Sequence, residues 1–183
     1  MLALPLLWLP QLANAAAYAT GGTGKYKSEI LWLTWGSSTN PLGLNGQPLS
    51  NGAVSKASVQ VVNGVNIEVQ CKLQNSSGGL ESYASGGYHG DVFDDAYNIG
   101  GPESANKLVA GLMTRNQTTN FQISCTSEFV GGSTRTPTSL RGFAISDAEA
   151  MASNGSEYIV GAAKGDWSVI ERMGTNNDPY YVQ

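Results

Sequence analysis

The chain has 183 residues, with 10 Lys and Arg against 14 Asp and Glu, a net charge of −4. That mildly acidic balance, with no Lys/Arg cluster, lacks the electrostatic footprint of a nucleic-acid binder. Only 13% of residues are charged while 23 are Gly, which fits an extracellular β protein with polar, uncharged turns better than a cytosolic enzyme, and the length suits one domain.

The N-terminus is apolar from Leu2 to Leu12, broken by Pro5 and Pro10 and followed by Ala13-Asn14-Ala15. It is too short and Pro-rich for a membrane span, which needs about 20 apolar residues. It has the apolar core and small-residue cleavage site of a secretory signal, although no Lys or Arg precedes it. Residues 1–15 are therefore expected to be a signal peptide, cleaved after Ala15 or Ala17, leaving 16–183 as one domain with no membrane insertion. A retained apolar tail is the alternative.

Glu29 to Trp35 is apolar on both parities, as a central strand covered on both faces would be, and a long Asn/Gly/Pro/Ser loop follows from Gly36 to Ser55. Ser58 to Val62 and Val65 to Leu73 flank Asn63-Gly64, the strongest short hairpin signal, because a type I′ turn needs positive φ at both central residues. Within the second of these, Val65, Ile67, Val69, Cys71 and Leu73 share one face against Asn66, Glu68, Gln70 and Lys72, the period-2 mark of a half-buried strand. Asn120 to Phe129 repeats the pattern, with Phe121, Ile123, Cys125 and Phe129 inward and Ser127 the polar exception. Leu108 to Met113, Leu140 to Ser146, Glu157 to Val160 and Trp167 to Met173 are further strand candidates, with a Gly131-Gly132 turn between. About eight short strands without a convincing amphipathic helix predict an all-β sandwich or jelly roll.

The only two cysteines, Cys71 and Cys125, lie 54 residues apart and both point inward, with no C-x-x-C or Cys/His cluster to make a metal site. A disulfide is expected in an oxidising compartment, worth about 4 kcal/mol on the chain-entropy model. Two buried free thiols are the alternative.

Between Asn75 and Gly101 runs a Gly-, Ser-, Tyr- and Asp-rich excursion too long for a simple connector. Asp91, Asp94 and Asp95 repel one another unless a cation or backbone N–H groups compensate. Calcium prefers such oxygen ligands, but the D-x-D-x-D-G spacing is absent, and Asp side chains also cap turns. Tyr83, Tyr88 and Tyr97 flank the cluster, and aromatics beside carboxylates make a reasonable glycan platform. Tyr83, Tyr88, Asp91, Asp94, Asp95, Tyr97 and Asn98 are thus the candidate ligand-binding residues, with ordinary loop anchoring as the competing role. The single histidine, His89, has no nucleophile motif beside it. Asp147 and Glu149 follow a strand candidate at i, i+2, about 7 Å apart, which is permissive for a glycosidase pair; the E-x-D-x-x-E pattern of jelly-roll glycosidases is missing.

Gly24 to Gly36 (GKYKSEILWLTWG), Gly90 to Gly101, Ser156 to Ile159 and Trp167 to Arg172, together with the two cysteine strands, resemble the N-terminal adhesive domain of CshA/CshB-type fibrillar adhesins of Gram-positive bacteria. The resemblance implies a lectin-like β-sandwich, secreted or displayed at the cell surface, that attaches to fibronectin-like host glycoproteins or to glycans. It assigns no individual ligand residues. Family members continue into long repeats and a sortase signal, whereas this sequence stops at Tyr180-Tyr181-Val182-Gln183, so a fragment, a stand-alone domain and a module of a larger assembly all stay open. The expected function is a non-enzymatic binding module; a small glycosidase using Asp147 and Glu149, or a structural module of a surface fibril, are the alternatives.

Overall fold

A computed structural model of the chain describes residues 16–19, 21–35, 48–77, 79–83, 93, 96–97, 111–114, 117–147 and 158–172. Eight strands are found among them: β1 Ala16–Ala17, β2 Trp32–Leu33, β3 Val54–Val62, β4 Val65–Ser77, β5 Glu81–Tyr83, β6 Gly111–Met113, β7 Asn120–Gly131 and β8 Thr134–Thr138. They form a four-stranded antiparallel sheet in the order β3-β4-β7-β8, and two antiparallel ribbons, β1-β2 and β5-β6.

The alternating segments become the two central strands. Asn63-Gly64 turns β3 into β4 with Gly64 at φ +78°, and Gly132 at φ +57° turns β7 into β8; both are left-handed conformations that glycine adopts without a Cβ penalty. On the inner face Val69, Cys71 and Leu73 are buried, Leu73 completely. Ser127, the polar residue on that face, is also buried, and its hydroxyl donates to the Thr138 carbonyl at 2.9 Å, so burial leaves no orphaned group. Phe121 and Phe129, at the two ends of β7, are more exposed than the pattern predicts.

The outer face carries an electrostatic conflict and its resolution. Register places Glu68 directly opposite Glu128, a destabilising like-charge pair. Arg135 on the neighbouring β8 reaches both, at 2.8 and 2.9 Å, and turns the repulsion into a bridged triad.

Cys71 and Cys125 are register partners on β4 and β7 and are bonded, with S–S 2.04 Å and Cα–Cα 4.1 Å. Two rungs beyond them Leu73 faces Ile123, and the paired strands end at Ser77 and Asn120. The disulfide therefore clamps the stem from which the excursion departs.

Two small cores lie along this axis. Ala57, Val69 and Cys71 pack with Leu31, Leu33, Ile67 and Ile123. Trp35, Leu49, Leu73 and Leu80 pack with Ala53 and Leu112. The second core is stitched by backbone bonds from Leu49 N–H to Leu80 O and from Leu73 N–H to Ala53 O, at 2.8 and 2.9 Å.

Several expected elements differ. Of Glu29 to Trp35 only Trp32–Leu33 is paired, because the Glu29 and Ile30 amides both donate to the Tyr26 carbonyl and close a turn. Its two apolar parities are nevertheless both used: Leu31 and Leu33 cover the first core while Trp32 packs elsewhere. β8, a Thr-rich segment containing Pro137, was not among the expected strands; proline is tolerated there because β8 lies at the sheet edge. The described parts of Leu140 to Ser146, Glu157 to Val160 and Trp167 to Met173 are irregular instead of paired, and Ile145, Tyr158, Ile159, Val160 and Ile170 are exposed. The protein is all-β in its described sheets, with one disulfide.

Candidate functional site

The excursion is fixed at its base and again in its middle. At the base, the Gly79 carbonyl accepts from Gln117 Nε2 and Thr119 Oγ1, both at 3.2 Å, tying the outgoing chain to the returning one. The ribbon β5-β6 then pairs Glu81 with Met113 and Tyr83 with Gly111, and Leu80 beside it is buried in the second core. The long segment between β5 and β6, which carries the Asp cluster, thus leaves from a paired ribbon.

In its middle the segment makes one helical turn. Tyr97 N–H donates to Phe93 O at 2.7 Å, and Phe93, Ala96 and Tyr97 are all buried. Spacing of i, i+3 and i+4 puts these three on one helical face. They pack against Ala19, Tyr26 and Trp32, and the Trp32 ring meets Phe93 and Tyr97 edge-on at 4.8 and 5.3 Å between centroids. Edge-to-face contacts of this kind are worth about 0.5–1.5 kcal/mol each beyond the area they bury.

Polar contacts complete the junction. Gly24 N–H donates to the Ala96 carbonyl at 2.8 Å. No side chain fits at Gly24: a Cβ there would lie 2.5 Å from the Tyr97 ring. The Tyr97 hydroxyl donates to a Glu171 carboxylate oxygen and accepts from Tyr26 N–H at 3.4 Å. The Lys25 amide donates to both oxygens of the same carboxylate, at 3.2 and 3.3 Å. Burial, and then the hydrogen bond to Glu171, push the Tyr97 hydroxyl from 10 up to about 12, so it remains a donor at any physiological pH.

The expected site residues are distributed unevenly over this arrangement. Tyr97, expected to offer its ring to a ligand, is 3% exposed and is a core residue of the junction. The Tyr83 backbone lies in β5; its side chain, and Tyr88, Asp91, Asp94, Asp95 and Asn98, lie outside the described residues, as do His89 and Glu149. Asp147 is half-buried on an irregular segment. Among the described residues no group of three or more His, Cys, Asp or Glu could hold a metal ion, and no helix is long and apolar enough to cross a membrane.

Sequence reasoning missed Glu171, Gly24 and the Lys25 amide. All three fall inside the blocks that carry the family resemblance, Gly24 to Gly36 and Trp167 to Arg172. No local periodicity could have joined them, because the bond from Lys25 to Glu171 spans 146 residues.

The family model for surface adhesin CshA non-repetitive domain 2 matches residues 28–182. The chain belongs to this family. The match takes in the four-stranded sheet, the disulfide, the whole excursion and Glu171, and it makes the protein a surface-adhesin domain of extracellular or cell-surface location. Family membership also favours a non-enzymatic role. No curated protein and no solved structure matches the chain.

Proposed function

We propose that this adhesin domain attaches to glycan-bearing host surfaces, of which a fibronectin-like glycoprotein is the type case, and that the segment between β5 and β6 carries the recognition. The observation that supports this most is the anchoring of that segment. Phe93, Ala96 and Tyr97 are buried and pack against Ala19, Tyr26 and Trp32. Anchoring at a paired ribbon and at buried residues within the segment is the kind of support that lowers the entropic cost of presenting polar groups to a ligand. In this reading the carboxylates accept sugar hydroxyls and Tyr88 supplies stacking area, within a lectin-like sandwich.

The same reading takes residues 1–15 as a secretory leader and 16–183 as the mature domain. Ala16 and Ala17 pair with Leu33 and Trp32, which favours cleavage after Ala15, since a cut after Ala17 removes β1.

Attachment to intact fibronectin, enzymatically deglycosylated fibronectin and a glycan array, each with and without EDTA, tests the proposal and separates its ligand sources. Binding to the intact glycoprotein that is lost on deglycosylation, or discrete array hits, supports a glycan ligand; binding that survives deglycosylation supports a protein epitope. No attachment in any arm, or glycan hydrolysis that tracks with Asp147, overturns it.

A further inference from the structure

Lys25 and Glu171 stand 146 residues apart and are hydrogen-bonded to each other, so the chain between them is a loop closed at that contact. A second closure lies inside the first: the Cys71–Cys125 disulfide, which spans 54 residues. The inner closure is covalent and joins register partners of the two central strands, whereas the outer one is made of hydrogen bonds and ring packing. The Lys25 amide donates to both oxygens of the Glu171 carboxylate, at 3.2 and 3.3 Å, and the Tyr97 hydroxyl donates to one of them. Tyr97 is in turn tied to the N-terminal turn, by Tyr26 N–H on its hydroxyl at 3.4 Å and by Gly24 N–H on the neighbouring Ala96 carbonyl at 2.8 Å. Lys25 and Glu171 therefore cannot separate by breaking one bond. The Lys25 pair must part together with either the Tyr97–Glu171 bond or the bonds that tie Ala96 and Tyr97 to Gly24 and Tyr26, and hydrogen bonds to a carboxylate are about twice as strong as neutral ones.

We propose that this junction is a tension-bearing staple, which takes load applied along the chain before that load reaches the four-stranded sheet. A surface-adhesin domain holds a cell against another surface and is loaded whenever the two are pulled apart. A pull arriving from beyond Arg172 meets Glu171 first; the end of β8, at Thr138, lies 33 residues further back, and the described residues between them are in no strand. A pull arriving from the N-terminal side meets Gly24 and Lys25 after only the two-residue strand β1. The staple opens under load and can close again because its bonds are non-covalent, while the disulfide withholds its 54 residues throughout. This role is independent of which residues bind the ligand. The Lys25 side chain plays no part in it, since the donor is the main-chain amide.

Single-molecule extension of the full chain, held by handles at its two termini, tests this in wild type, Glu171→Ala, Tyr97→Phe and Lys25→Ala, each with and without reductant. Oxidised wild type should open in two steps, the junction first and the sheet second. The chain released between residues 25 and 171 should be 146 less 54, or 92 residues, which is about 320 Å at full extension, and reduction should raise it to about 510 Å. Glu171→Ala should lower the force of the first step at least twofold and leave that of the second unchanged. Tyr97→Phe, which keeps the ring in the core, should fall between that variant and wild type; Lys25→Ala should match wild type. Amide exchange at Val69 and Leu73 checks that the sheet of Glu171→Ala is intact, and if it is not, Tyr97→Phe carries the comparison. Opening of wild type in a single step, or a first step that needs the same force in the variants that lose a bond to Glu171, overturns the staple.

Discussion

Gly24 and Tyr97 are fitted to each other so closely that a single methyl group is a severe test. A Cβ at position 24 would stand 2.5 to 2.7 Å from three carbons of the Tyr97 ring, and that ring is held by Trp32, Phe93 and Glu171, so it cannot swing aside freely. Gly24→Ala is expected to cost about 1–3 kcal/mol in chemical denaturation, the usual range for overpacking; a loss below about 0.3 kcal/mol would show that the ring is mobile. Tyr97 also has a pH signature. Its folded-state value, about 12, lies above its ordinary value of 10, so the contribution of the protonated hydroxyl is complete below pH 10 and is lost as pH rises through about 12. Wild-type stability should therefore fall more steeply between pH 10 and 12 than that of Tyr97→Phe, as measured by urea denaturation across that interval. Parallel pH profiles would contradict the buried, hydrogen-bonded hydroxyl.

At the scale of elements, the disulfide turns a hairpin stem into a closed collar beneath the excursion. Chain-entropy reasoning gives about 4 kcal/mol for a loop of this length, with 2–4 kcal/mol typically realised. Cys71→Ser combined with Cys125→Ser should lower unfolding free energy by about 2–4 kcal/mol, and a change under about 0.5 kcal/mol would contradict the collar. The pairing of these cysteines was legible because β4 and β7 keep period-2 alternation over their lengths, and Asn63-Gly64 marked the β3-β4 hairpin by turn chemistry alone. Trp32–Leu33 was overestimated as a longer strand because apolar residues on both parities also arise where a chain is sandwiched between two different cores. β8 escapes a hydrophobic-pattern reading for the opposite reason: Thr134–Thr138 has no apolar stripe, and it is placed by the Gly132 turn and the backbone ladder with β7, at a sheet edge where Arg135 also bridges Glu68 and Glu128. The Asp cluster was visible as composition. The device that holds its segment was not, because Gly24, Tyr97 and Glu171 meet only in three dimensions.

At the scale of the molecule, the sheet, the collar, the β5-β6 ribbon and the Glu171 junction form a mechanical sequence that ends at the segment between β5 and β6. Family membership supplies the surface-adhesin role, and the segment between β5 and β6 is the place proposed for it. The most direct test of this account is the affinity of Asp94→Ala for immobilised fibronectin, measured beside wild type together with both melting temperatures. The account predicts at least a fivefold loss of affinity, equivalent to about 1 kcal/mol, with melting temperatures within about 2 °C of each other; wild-type affinity in a folded Asp94→Ala protein would place recognition elsewhere on the domain.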